Sequence, residues 1–159
     1  MMIQNIFVSC WTNRTKIMFE KQKLNEIAKK FYIDIIYAFG SNAKNVVALL
    51  KQKVSGIDLS TSSDLDIGVK PVFGKLLSIK EKVRLSMELE DIFSVSKVDL
   101  VVLPEADPFL AANIVRGERI YCKDKYRADE YDLYILRRAG DFIPLERERL
   151  ALIMEAKEQ

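Results

Sequence analysis

Three short runs of apolar, largely β-branched residues recur along the chain: Ile33–Phe39, Leu65–Val69 and Lys97–Leu103. Such runs suit the interior of a sheet. Gly40 ends the first, Pro71 and Gly74 punctuate the stretch after the second, and Pro104 closes the third. Between them the apolar residues change to helical spacing: Ile17, Phe19, Leu24, Ile27, Ala28 and Phe31; then Ala43, Val46, Val47, Leu50 and Val54; then a long amphipathic stretch from Leu76 to Phe93. Gly56 opens a Ser/Thr-rich loop ahead of the second run. Beyond the third run the pattern predicts a short helix at Pro108–Val115, a short strand at Arg119–Cys122 and a helix from Tyr126 to Arg138. Gly140 is expected to break that helix, and Pro144 suits the first turn of a last one running to about Ala156. Strands alternating with helices predict an α/β (α+β) fold: one small mixed sheet flanked by helices.

With 159 residues, 49% hydrophobic and 30% charged, the chain fits one well-cored domain over residues 1–159. Residues 1–15 read as an extension, 126–159 as a helical C-terminal segment, and Met18 as an alternative start. Histidine is absent, which excludes Ser-His-Asp and Cys-His catalysis, histidine zinc sites and a histidine pH switch. Cys10 and Cys122 are too few for a disulfide framework. Any chemistry therefore falls to carboxylates, hydroxyls and lysines. The 25 basic and 23 acidic residues leave a net charge of +2, so no nucleic-acid partner is expected. No apolar segment is long enough to span a bilayer. A cytoplasmic protein with free thiols is the expectation.

The chemistry concentrates in three carboxylates. In Ser63-Asp64-Leu65-Asp66-Ile67 the side chains alternate, so Asp64 and Asp66 share one face while Leu65 and Ile67 face a core. Carboxylates that close repel unless a cation sits between them, and oxygen-only ligands suit magnesium. Asp99 lies inside the third apolar run, where burying it alone is costly. A position beside the Asp64–Asp66 strand explains it. Three converging carboxylates can hold two ions, roughly 3.5–4 Å apart in two-metal sites. Upstream, Gly40-Ser41 follows the first strand and opens a helix. Glycine lets backbone approach a ligand, helix N-terminal amides attract phosphate, and Ser41 adds a donor. A phosphate cradle facing an ion-binding acidic cluster implies nucleoside triphosphate chemistry.

These residues resemble the polymerase-β-like nucleotidyltransferases, in particular the minimal nucleotidyltransferases. The motifs are Ala38-Phe39-Gly40-Ser41, Ser63-Asp64-Leu65-Asp66-Ile67 and Val98-Asp99-Leu100. The likeness spans Ile33 to Leu103, with a weaker continuation in Gly140-Asp141-Phe142-Ile143-Pro144. Members often carry Ala-Arg-Gly soon after Gly-Ser; here Ala43-Lys44-Asn45 keeps the basic group without the glycine, and the spacer from Ser41 to Asp64 is longer than usual. The resemblance implies two Mg2+ ions held by Asp64, Asp66 and Asp99, a nucleotide held by Gly40, Ser41 and Lys44, and ATP or another nucleoside triphosphate as substrate. It implies transfer of a nucleoside monophosphate, AMP by family habit, to a hydroxyl. It also implies a small helical HEPN-type partner, with this chain as antitoxin. The alternatives are a non-catalytic module of the same fold that masks a partner by contact, and a small-molecule transferase of the aminoglycoside type.

Plainer readings compete at each residue. Asp-x-Asp alone is more often a solvated strand edge, and an aspartate in an apolar strand can be satisfied by lysine or backbone amides. A phosphorelay receiver domain would need an acidic pair after the first strand, where this chain has Gly-Ser. Lys44 also reads as an exposed helix lysine, and Lys70 can face either way. Arg137, Arg138, Arg147 and Arg149 have acidic neighbours and read as a solvated helix face. Tyr131 and Tyr134 read as packing residues, Cys122 as a small buried hydrophobe.

Overall fold

The computed structural model describes residues 21–50 and 64–155. The elements are α1 (residues 21–30), β1 (Ile33–Phe39), α2 (Ala43–Leu50), β2 (Leu65–Pro71), α3 (Ile79–Phe93), β3 (Val98–Val102), α4 (Pro108–Val115), β4 (Glu118–Cys122) and α5 (Lys125–Glu155). A 3-10 turn, Leu103–Glu105, follows β3, with Pro104 at its start. The predicted helix N-terminal to residue 21, the Gly56 and Ser60–Ser63 loop and Cys10 lie outside the described residues.

The four strands form one mixed sheet in the order β3-β2-β1-β4. β1 pairs antiparallel with β2 and β4, whereas β2 and β3 run parallel through the α3 crossover. Alternation along each strand sorts the side chains onto two faces. Ile36, Ala38, Leu65, Ile67, Val69, Val98 and Val102 join α1, α2 and α3 in one buried cluster. Ile35, Tyr37 and Phe39 face the other way, against α4 and α5. The sheet is thus covered on both sides, as the apolar runs require.

Local signals set the helix ends. Ser78 caps α3 and Glu81 answers it: the Ser78 hydroxyl accepts from the Glu81 amide, while a Glu81 carboxylate oxygen accepts from the Ser78 amide at 2.8 Å. The helix therefore begins at Ile79, three residues after the Leu76 suggested by periodicity. Asp107 caps α4, accepting from the amides of Phe109 and Leu110, with Pro108 in the first turn. Tyr37, fully buried in the sheet, donates its hydroxyl to Asp132 of α5. That bond gives a buried phenol the partner it needs and ties α5 to β1.

One expectation is overturned. Gly140 does not end a helix and Pro144 does not start one; both lie inside α5, which runs unbroken from Lys125 to Glu155. Proline in a helix interior deprives the carbonyl four residues earlier, here that of Gly140, of its amide partner. Gly140 and its successors are exposed, so water can serve that carbonyl, and a Cβ at Gly140 would meet nothing within 4 Å. Good helix formers on both sides carry the turn across.

Position 68 fixes how α4 lies on the sheet. A Cβ on Gly68 would stand 2.3 Å from Ile114 Cγ2 of α4, and Ile114 is fully buried. Gly68→Ala is therefore expected to destabilise the protein by about 1–3 kcal/mol through overpacking, read as a lowered urea midpoint at unchanged m-value. The capping box gives a pH signature. Bonds from Lys75 first, and from Ser78, lower the Glu81 carboxyl from 4.5 to about 2. Its contribution is present in full above pH 4.5 and is lost as pH falls through about 2. The gap in melting temperature between wild type and Glu81→Ala should accordingly be widest near neutrality and close toward pH 2.

Candidate functional site

The antiparallel β1–β2 pair and parallel β2–β3 pair bring the C-terminal end of β1 and the N-terminal ends of β2 and β3 to one edge of the sheet. Register does the rest: Phe39 pairs with Asp66, and Asp66 with Asp99. Leu65 and Ile67 are fully buried in the core behind, as alternation predicts, while Asp64 and Asp66 turn to the opposite face. This face carries α4 at Gly68, but one pleat nearer the edge it is open. Asp64 and Asp99 keep about half of their side-chain surface in water, 53% and 47%. Asp99 therefore escapes the burial cost that its apolar strand suggested.

Gly40 leaves β1 with φ +72°, a backbone state that side chains disfavour. A Cβ there would lie 2.3 Å from Asp66 Oδ2, so the turn backbone sits directly against that carboxylate. Ser41 is exposed in the turn, and the Asn42 side-chain amide donates to the Asp64 carbonyl at 3.3 Å, joining the start of α2 to the start of β2. Lys44 is exposed on α2. The Gly-Ser turn and the acidic cluster thus occupy the same end of the sheet.

The electrostatics are those of crowded negative charge. Burial first, then the charges of Asp99 and Asp64, push the Asp66 carboxyl above its ordinary value, and Lys97 pulls it back. Among the described residues no three acidic side chains are gathered into a ready cage for a metal ion. Instead Lys97 Nζ reaches Asp64 Oδ2 at 3.0 Å and Asp99 Oδ1 at 2.8 Å. Its bonds to Asp99 and Asp64 raise the ammonium above the usual lysine range. A cation bound between two of the three carboxylates shows that this donor set accepts positive charge. Its oxygens are the hard ligands that Mg2+ prefers.

Lys97 was not among the residues singled out from the sequence, although period-2 alternation places it on the face of Asp99, two residues on. Glu90 was also missed: its carboxylate accepts from the Val98 amide at 3.0 Å and so fixes the entry of β3. Other candidates lie elsewhere. Lys70 pairs with Asp34 at 2.9 Å beneath the Tyr131 ring, away from the cluster. Tyr131 and Tyr134 pack on each other, Arg137, Arg138 and Arg147 are exposed, and Arg149 pairs with Glu146. Cys122 is a free thiol, half-buried against the α4–α5 cluster rather than fully enclosed. No described helix is long and apolar enough to cross a membrane.

The family model described as polymerase beta, nucleotidyltransferase matches residues 22–126. No curated protein matches significantly. Solved structures share the fold. A chain of a toxin–antitoxin complex determined with AMP-PNP gives a TM-score of 0.60 at 20% identity, over 86% of this chain and 98% of its own. A chain from the complex of tri-AMPylated Shewanella oneidensis HEPN toxin with MNT antitoxin gives 0.57 at 21%, over 89% and 98%. The MntA–HepT toxin–antitoxin complex gives 0.56 at 20%, over 88% and 98%.

Substituting Gly40 should disturb the site directly. Gly40→Ala places a methyl group against Asp66 in a left-handed backbone and is expected to cost about 1–3 kcal/mol. Urea denaturation checks this, with Gly74→Ala, whose Cβ enters open space at a similar φ, separating backbone strain from the clash.

Proposed function

Because the chain belongs to the polymerase beta nucleotidyltransferase family, we propose that it is a magnesium-dependent enzyme transferring a nucleoside monophosphate to a hydroxyl. The donor is ATP and the acceptor a small helical HEPN-type protein, with this chain as the antitoxin of the pair. The observation that carries this reading is the convergence of Asp64, Asp66 and Asp99 on one open sheet edge against the Gly40 turn. The AMP-PNP complex and the complex of tri-AMPylated HEPN toxin with MNT antitoxin, both sharing this fold, support the choice of donor and acceptor.

Asp64, Asp66 and Asp99 are the residues that would hold the ions. Bound there, Mg2+ supplies neutralisation of the triphosphate and charge stabilisation at the reacting phosphorus. The Gly40 backbone and the Ser41 hydroxyl hold the β- and γ-phosphates, with Lys44 as the nearby cation. An Asp99 carboxylate oxygen takes the proton of the acceptor hydroxyl. The acceptor oxygen then bonds to the α-phosphorus as the bond from that phosphorus to the β-bridging oxygen breaks, and pyrophosphate leaves. The rest of the protein's contribution is positioning, which suits a chain without histidine.

A contact-only module is the second reading, and the Lys97 bridge is the observation that favours it, since it satisfies two of the three acids without an ion. Labelled ATP, Mg2+ and the helical product of a neighbouring gene separate the two. Label is expected on the partner. Asp66→Asn should lower its rate by about 100-fold or more with the circular dichroism spectrum unchanged. Tight complex formation without label, or full labelling by the Asn variant, would count against the enzyme.

A further inference from the structure

The position of Lys97 gives this site a property beyond the transfer reaction. Its carbonyl accepts from the Leu65 amide at 3.0 Å, so its backbone is held in register at the mouth of the sheet. Its ammonium lies within 2.8–3.0 Å of carboxylate oxygens of Asp99 in β3 and of Asp64, the residue just ahead of β2. Lys70 is committed to Asp34, Lys75 to Glu81 and Lys82 to Glu105, whereas Lys97 bridges the cluster. Yet 54% of its side chain is exposed. A lysine so hydrated gives up an ion pair at little cost, unlike a buried one.

We infer that Lys97 is a displaceable internal counter-ion: it bridges Asp64 and Asp99 in the metal-free protein, offsetting one of their two charges, and competes with a divalent cation for those same oxygens. This rests on the assignment of the three carboxylates as the ion site. Two consequences follow from competition. Without metal, Lys97 stabilises the edge by offsetting repulsion among three acids that the sheet register forces together. With metal, the same side chain must swing into solvent, and its lost ion pairs weaken apparent ion affinity. The four-carbon stem and the open face allow that movement without any shift of β3. A permanent lock would need an enclosed ammonium, which this is not.

Mn2+ binding to the whole protein, followed by the loss of the free-ion electron paramagnetic resonance signal, tests the inference without any turnover. Lys97→Met and, as a second neutral variant, Lys97→Gln should bind Mn2+ about fivefold tighter than wild type. Lys97→Arg, which keeps the charge, should stay close to wild type. Thermal melts give an independent readout: metal-free Lys97→Met should melt below wild type, and saturating Mn2+ should close the gap. Equal or weaker Mn2+ affinity in both neutral variants, with wild-type binding abolished by Asp66→Asn, overturns the role of Lys97 while leaving the ion site in place. Failure of wild type and every variant to bind Mn2+ overturns the ion site itself, and the competition with it.

Discussion

The register of β2 between its two neighbours is the constraint on which the site depends. β2 runs antiparallel to β1 and parallel to β3, so one edge of the sheet collects the end of one strand and the beginnings of two others. Core packing enforces that register: Leu65, Ile67 and Val69 are fully buried on one face, and a slip of one residue would turn them to the other. The energy that holds the acids together is therefore hydrophobic and lies behind them. Repulsion at the edge is small beside it, and Lys97 offsets part of that repulsion.

Glycine marks both boundaries of the open face. At Gly68 the side chain is missing because α4 lies against the strand; at Gly40 it is missing because Asp66 lies against the turn. Between these two approaches no described helix or turn covers the sheet. The protein thereby keeps carboxylates hydrated on an otherwise covered sheet, and a polar ligand would have space to reach them. Tyr37 and Asp132 fasten α5 farther along the same face, so the helical layer is pinned away from the opening.

Much of this was legible in the chain itself. The β1 run matches its strand end to end, and the β2 and β3 runs match theirs to within two residues, because β-branched runs bounded by Gly and Pro leave little choice. The common face of Asp64 and Asp66 followed from alternation; Asp99 does pair with Asp66, but the burial cost from which that position was expected does not arise, because Asp99 stays half exposed. What escaped notice depends on through-space partners. The Lys97 bridge needs the β2–β3 register, and the reason for Gly68 needs α4. Gly140 and Pro144 carry the ordinary stop-and-start signals, but on an exposed helix water serves the orphaned carbonyl, which leaves the ring clash as the cost that the rest of α5 outweighs. Residues 51–63, the long spacer after α2, lie outside what the structure describes.

The unbroken α5 has a hydrodynamic consequence. At 1.5 Å per residue its 31 residues extend about 46 Å, longer than the roughly 40 Å diameter of a compact sphere built from a chain of this length. No described residue of α5 after Ala139 is buried. A body made of the described residues tumbles anisotropically, fastest about an axis near that helix, with a frictional ratio above that of a rounded domain of equal mass.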